Sequence, residues 1–167
     1  MRIQEGQANY VFDGGRREWC IIVTEPYLKG AGIELYFDFE FIEYKEIPIV
    51  FVCNDYNNNL YICNCTEIRW RQEWTVAKTD IETIRRLLEH DLSVYDALQA
   101  NGEMKYLFDY DYSKGMYSAK VVAFKDIPET RLPEKGVPLR FIECGAEEKF
   151  EKLKSRVEGV KDVCECC

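Results

Sequence analysis

Residues 32–44 read Gly32-Ile33-Glu34-Leu35-Tyr36-Phe37-Asp38-Phe39-Glu40-Phe41-Ile42-Glu43-Tyr44. Alternation over this length is the period of a β-strand, which points successive side chains to opposite faces. It predicts Leu35, Phe37, Phe39 and Phe41 on one face, with Tyr36, Asp38, Glu40 and Ile42 on the other. Pro48 restarts the chain, and Ile49-Val50-Phe51-Val52-Cys53 follows as the next strand. An Asn/Asp turn over 55–59 leads into a returning strand over 60–68, and 70–77 adds another. Thr79 with Glu82 then forms a capping box for a helix.

That helix, over about 80–90, carries Ile81, Ile84, Leu87 and Leu88 at helical spacing. Ser93 with Asp96 marks a second short helix over about 94–100 that buries Val94, Ala97 and Leu98. On the N-terminal side, residues 7–12 and 16–24 flank Asp13-Gly14-Gly15 as a hairpin, and 26–32 is a connection. Beyond the helices, strands are predicted at 104–112 and 116–124, then a Pro-rich loop over 125–138. A last amphipathic helix over about 146–160 presents Phe150, Leu153, Val157 and Val160.

The fold class is therefore α+β. One domain over 1–160 is expected to hold a mainly antiparallel, bent sheet, with the two consecutive helices packed on one side and the C-terminal helix across the remaining apolar surface. Residues 161–167 are expected to be a flexible, Cys-rich tail.

A chain of 167 residues, 47% hydrophobic, is long enough to bury a core without covalent staples. Its formal charge of −8 opposes nucleic-acid binding, which needs a basic stripe along the phosphates. No stretch approaches the roughly 18 apolar residues of a membrane span. Met1 to Gly6 lacks the apolar core of a secretion signal. The expectation is a cytoplasmic protein, not bound to a membrane, whose eight cysteines are reduced.

Cysteine suggests metal first. Zinc wants soft ligands in a tetrahedron, usually from pairs spaced by about two to four residues. Cys63 and Cys65 do not have that spacing. With the hairpin turning near Asn57, Cys53 lies opposite Tyr61, Phe51 opposite Cys63, and Ile49 opposite Cys65. Three cysteines then share a face with Ile49 and Phe51, which reads as core. Cys164, Cys166 and Cys167 remain candidates for metal capture, lipidation or plain disorder. A chain ending in two cysteines resembles the tails of Rab-type small GTPases, but the phosphate loop of that family is missing.

The single histidine, His90, ends the first helix, where a cation complements the helix dipole. Neither Cys20 nor Cys144 stands in a motif that activates a thiol. Asp38 with Glu40, and Asp109 with Asp111, are same-face acid pairs able to hold a divalent ion or to act as acid and base. The stronger reading is the wet face of an antiparallel sheet, which produces that pattern by itself. No cofactor motif is found.

Arg69-Trp70-Arg71-Gln72-Glu73-Trp74 is the strongest recognition signal, because Trp and Arg dominate binding hot spots. Arg69, Trp70, Arg71 and Trp74 are its candidate binding residues, and the alternative is that the tryptophans cover a sheet edge. The partner indicated is another protein. Over 48–98, the strand at Pro48-Ile49-Val50-Phe51, the return at Leu60-Tyr61-Ile62-Cys63-Asn64-Cys65, Trp74 before Lys78-Thr79, and Ser93-Val94-Tyr95-Asp96-Ala97-Leu98 resemble small uncharacterised bacterial and phage-associated α+β proteins. That resemblance implies no catalytic residues.

The function expected is a non-enzymatic interaction factor of accessory, immunity or counter-defence type. One variant is an acidic inhibitor using Glu34, Asp38, Glu40, Glu43 and Glu46 against the basic groove of a nucleic-acid enzyme. The competing class is a metal- or thiol-dependent enzyme.

Overall fold

A computed structural model of the chain describes residues 8–13, 16–21 and 25–165, with side chains described over 25–159. The first two strands, β1 (Ala8–Asp13) and β2 (Arg16–Ile21), pair antiparallel as a hairpin of their own, with Asp13 opposite Arg16. The larger sheet is a meander of seven strands, each antiparallel to the next. These are β3 (Leu28–Gly30), β4 (Ile33–Tyr44), β5 (Ile47–Asn54), β6 (Leu60–Glu67), β7 (Arg71–Thr79), β8 (Met104–Asp111) and β9 (Met116–Ala123). Strand β3 lies within the segment expected as a connection. The sheet curls until β3 meets β9, so the expected bent sheet is a nearly closed barrel.

Gly30 sits at that seam. A Cβ on it would fall 2.6 Å from the Cβ of Ala119 on β9, and its φ of +153° lies outside the range that other residues readily adopt.

The barrel has two apolar faces. Inside, Leu28, Leu35, Phe51, Tyr61, Trp74 and Phe108 pack with Cys53, Cys63, Cys65 and Val76. Every one of these comes from a strand. Outside, Val50, Val52, Leu60, Ile62 and Ala77 meet the helices α1 (Ile81–Leu88), α2 (Val94–Gln99) and α3 (Ala146–Glu165). Strands covered on both sides read as near-continuous apolar runs, as β5 and β6 do. The expected cross-strand pairs Phe51–Cys63 and Cys53–Tyr61 are present, and the three cysteines lie in the interior core.

The alternation over 32–44 is broken by pairing. Register shifts between Phe37 and Phe39, and again between Glu40 and Ile42, insert extra residues into β4. Such bulges bend a strand and switch the face of the residues beyond them. Leu35 and Phe37 therefore belong to the interior, whereas Phe39 and Phe41 belong to the helix side. The expectation of one common face for all four is corrected.

Helix α1 buries Ile84, Leu87 and Leu88, with Ile81 packed against the same cluster. Its N-cap is Asp80, whose carboxylate accepts the Thr83 N–H at 2.8 Å. Thr79, the expected cap, is still paired to Leu60 in β7, and its buried hydroxyl has no hydrogen-bond partner among the described residues. Ser93 caps α2 as expected, accepting from Asp96 N–H at 3.1 Å. Helix α3 docks through Ala146, Phe150 and Leu153, and Arg156 on it bonds Asp38 of β4. Its backbone continues five residues past 160, into the segment expected as tail. Among the described residues no helix is long and apolar enough to cross a membrane.

Candidate functional site

Three hairpin turns meet at one end of the barrel. Tyr44 pairs with Ile47, Glu67 with Glu73, and Arg71 with Asp111, so the β4–β5, β6–β7 and β8–β9 turns are neighbours. The β6–β7 turn carries the Arg/Trp cluster. Glu67 organises it, because its Oε1 accepts the N–H of Arg69 at 2.7 Å and of Ile68 at 3.0 Å. The Arg69 amide, above all, holds the Glu67 carboxyl below the ordinary glutamate range.

Trp70 stands on this turn at 84% exposure, a large apolar area with almost nothing covering it. Arg69 is exposed beside it, and Arg71 reaches back to Glu73 with Nε–Oε1 at 2.5 Å. Tyr112 closes in from the β8–β9 turn, its hydroxyl donating to the Ile68 carbonyl at 3.4 Å. Trp74 does not join this surface. It is 2% exposed and points into the barrel interior, and its indole Nε1–H has no acceptor among the described residues.

The interior opens at the same end into a cavity of about 840 Å³. Tyr27, Phe37, Trp74, Tyr110 and Tyr117 give it aromatic walls. The rings form two groups: Tyr27 lies 5.7 Å from Phe37 and 6.5 Å from Trp74, and Tyr110 lies 4.5 Å from Tyr117. Glu25, Glu40 and Glu46 also line the space, and none of the three carboxylates makes an ion pair or hydrogen bond among the described residues. Among the described residues the one lining lysine, Lys29, is paired with Glu34 at 3.1 Å. Tyr27 loses part of its water on folding, which raises its hydroxyl pKa.

The acid pairs part company. Asp38 turns toward α3, where it accepts from Arg156 and, at 2.9 Å, from Asn54, while Glu40 lines the cavity. The bulge between them puts them on different faces, which corrects the expected shared face. Asp109 bonds Arg131 at 2.8 Å, and Asp111 caps its own turn, accepting from the Ser113 hydroxyl at 2.6 Å. The acidic strip is interrupted likewise, because Glu34 and Asp38 have cationic partners.

Arg131 has no sequence signature, yet it knits the outer face of the barrel. Glu73 and Asp109 lie directly opposite one another on β7 and β8. The guanidinium sits between them, donating to Asp109 and to the carbonyls of Trp74 and Phe108 at 3.1 Å each. The Thr75 hydroxyl returns the contact to the Arg131 carbonyl at 2.5 Å.

His90, just past α1 with φ 59°, bonds the Leu139 carbonyl through Nδ1. Cys144 is exposed, whereas Cys53, Cys63 and Cys65 are buried as free thiols. Burial pushes the Cys65 thiol up to about 11. Among the described residues no three His, Cys, Asp or Glu side chains converge as a metal set. Of the tail cysteines, Cys164 falls within α3, and Cys166 and Cys167 lie outside the described residues, as does the side chain of Cys20.

No family model matches this sequence, and neither curated proteins nor solved structures gave a match.

Proposed function

We propose that this chain is a non-enzymatic interaction factor of bacterial or phage origin, of accessory, immunity or counter-defence type. It would engage another protein through the turn-bearing end of its barrel. One observation carries the reading. Among the described residues nine large apolar side chains are exposed, and five of them (Tyr44, Trp70, Tyr112, Met116 and Tyr117) stand on the three turns and strand ends that meet there. Clustered aromatic side chains with an arginine at the edge match the composition of interface centres.

Trp70 is the anchor of this surface. Tryptophan offers the largest contact area of any side chain, and at 84% exposure that area contributes little to folding. Trp70→Ser is therefore expected to change stability by no more than about 0.5 kcal/mol. Affinity purification of tagged wild type and Trp70→Ser from the native host should retain a partner in the first case and lose it in the second. If the variant keeps every partner of the wild type, the surface is elsewhere.

A further inference from the structure

We infer that the cavity at the open barrel end binds an organic cation, an alkylammonium group carried on an apolar body. Its walls combine the two features that recognise such a group. Aromatic faces present negative potential to a cation, and Tyr27, Phe37, Trp74, Tyr110 and Tyr117 supply five rings around one space. Carboxylates add net attraction. Glu25, Glu40 and Glu46 line the cavity without partners among the described residues, whereas Lys29 is neutralised by Glu34. Among the described residues an anion would meet three unpaired carboxylates and no free ammonium, so charge alone selects the sign of the ligand.

The position of Glu40 is informative, because β4 delivers it here only through its bulge. Without the shift at Phe37/Phe39, Glu40 would follow Tyr36 and Asp38 to the outside. With it, Glu40 stands opposite Phe51, on the interior face. A carboxylate turned toward an aromatic interior is costly unless something compensates its charge. A bound cation does so.

Volume sets the size of the guest. About 840 Å³ lies within the range of roughly 300–1,000 Å³ of small-molecule sites, so the ammonium occupies one part and an apolar body the rest. Two sources present this chemistry: a free organic amine, and a lysine-type side chain of a protein partner. They share the recognition and differ in what surrounds the charged end.

The test uses the ¹⁵N-labelled full chain and the indole N–H signal of Trp74. The chain has three tryptophans, and Trp74→Phe identifies which of three signals belongs to the cavity. Choline is titrated as the free ammonium, Nα-acetyl-Nε-trimethyllysine amide as the side-chain form, and 3,3-dimethylbutan-1-ol as the neutral isostere of choline. The expected result is a saturable shift of the Trp74 signal with an ammonium, and binding roughly tenfold weaker for the neutral isostere. Tighter choline binding assigns a free amine, and tighter trimethyllysine binding assigns a side chain. Either outcome supports a cation site.

Glu40→Gln should weaken ammonium binding several-fold. No saturable shift with either ammonium, or equal binding of choline and its neutral isostere by the wild type, overturns the inference. Trp70→Ser is a control that separates this site from the rim. It should abolish partner capture and leave the choline titration unchanged, so failure of one reading does not carry the other with it.

Discussion

Arg131→Met should be the most damaging single substitution on the outer face of the barrel. The guanidinium is about 10% exposed; it donates hydrogen bonds to Asp109 at 2.8 Å and to two strand carbonyls, and forms an ion pair with Glu73, Nε–Oε2 3.4 Å. Its removal leaves two carboxylates facing each other across adjacent strands, with only Glu73 keeping a second cation, Arg71. Breaking a buried pair by deleting one partner costs about 3–5 kcal/mol. Asp109 is 28% exposed and recovers some hydration, so the lower end, about 3 kcal/mol, applies. For a chain of this size that is about a 1.5 M fall in the urea midpoint at unchanged slope. Met matches the length of the arginine stem, which isolates charge from packing.

Urea unfolding followed by circular dichroism measures the loss. A second variant carries Arg131→Met together with Glu73→Gln and Asp109→Asn. Replacing every charge of a buried network is far less costly than orphaning one, so this chain should regain about half of the loss. A single-variant loss under about 1 kcal/mol would refute the reasoning. So would a triple variant less stable than the single one.

Gly30→Ala should cost about 1–3 kcal/mol through its collision with Ala119, and adding Ala119→Gly should recover part of it; equal midpoints for all three chains would contradict closure at this seam. Lys105 is fully buried on β8, its Nζ donating to the Ala100 carbonyl at 2.5 Å, and burial lowers its pKa from the ordinary 10.5. Between that lowered value and the ordinary 10.5 the unfolded chain binds more protons than the folded one, so wild-type stability should rise with pH across that window, and Lys105→Met should flatten the rise. Identical slopes of midpoint against pH in the two chains would contradict it. Native alkylation followed by peptide mass spectrometry should modify Cys144 rapidly and Cys53, Cys63 and Cys65 only after denaturation, since these three are buried and Cys53 and Cys65 have raised pKa values. Equal native rates at Cys63 and Cys144 would place the thiols outside the core.

Much of the fold was legible because its signals are local. The Asn/Asp turn over 55–59 sets the β5–β6 register, and two-residue periodicity then places Cys53, Cys63 and Cys65 together inside. Ser93 and the stripe of Ile84, Leu87 and Leu88 are equally local. What the pattern hid depends on pairing between distant residues. The bulges of β4 exist only against β5, so the alternation of four aliphatic and aromatic residues could not reveal that Phe39 and Phe41 leave the face of Leu35 and Phe37. Closure depends on Gly30 meeting Ala119, a contact 89 positions apart with no motif.

The site follows the same division. Arg69, Trp70 and Arg71 were readable as a turn; Arg69 and Trp70 stand exposed on it and Arg71 stands exposed at its edge, the first residue of β7. Trp74 shares their stretch of sequence, but strand β7 begins at Arg71 and carries it inward. The cavity it helps to line is assembled from β3, β4, β5, β7, β8 and β9, from the β4–β5 and β8–β9 turns and from the segment before β3, so only the tertiary structure brings Tyr27, Glu40 and Tyr110 to one place. Arg131 was invisible because a lone arginine in a Pro-rich loop has no periodicity to read.

Site-specific photocrosslinking in the native host tests the binding end of the barrel most directly. A benzophenone amino acid is placed at position 116, on the same rim as Trp70, in one chain and at position 151, on the exposed side of α3, in another. A binding face at the turn end predicts one discrete covalent adduct from position 116 and none from position 151. Adducts of equal yield from both positions, or from position 151 alone, would contradict it.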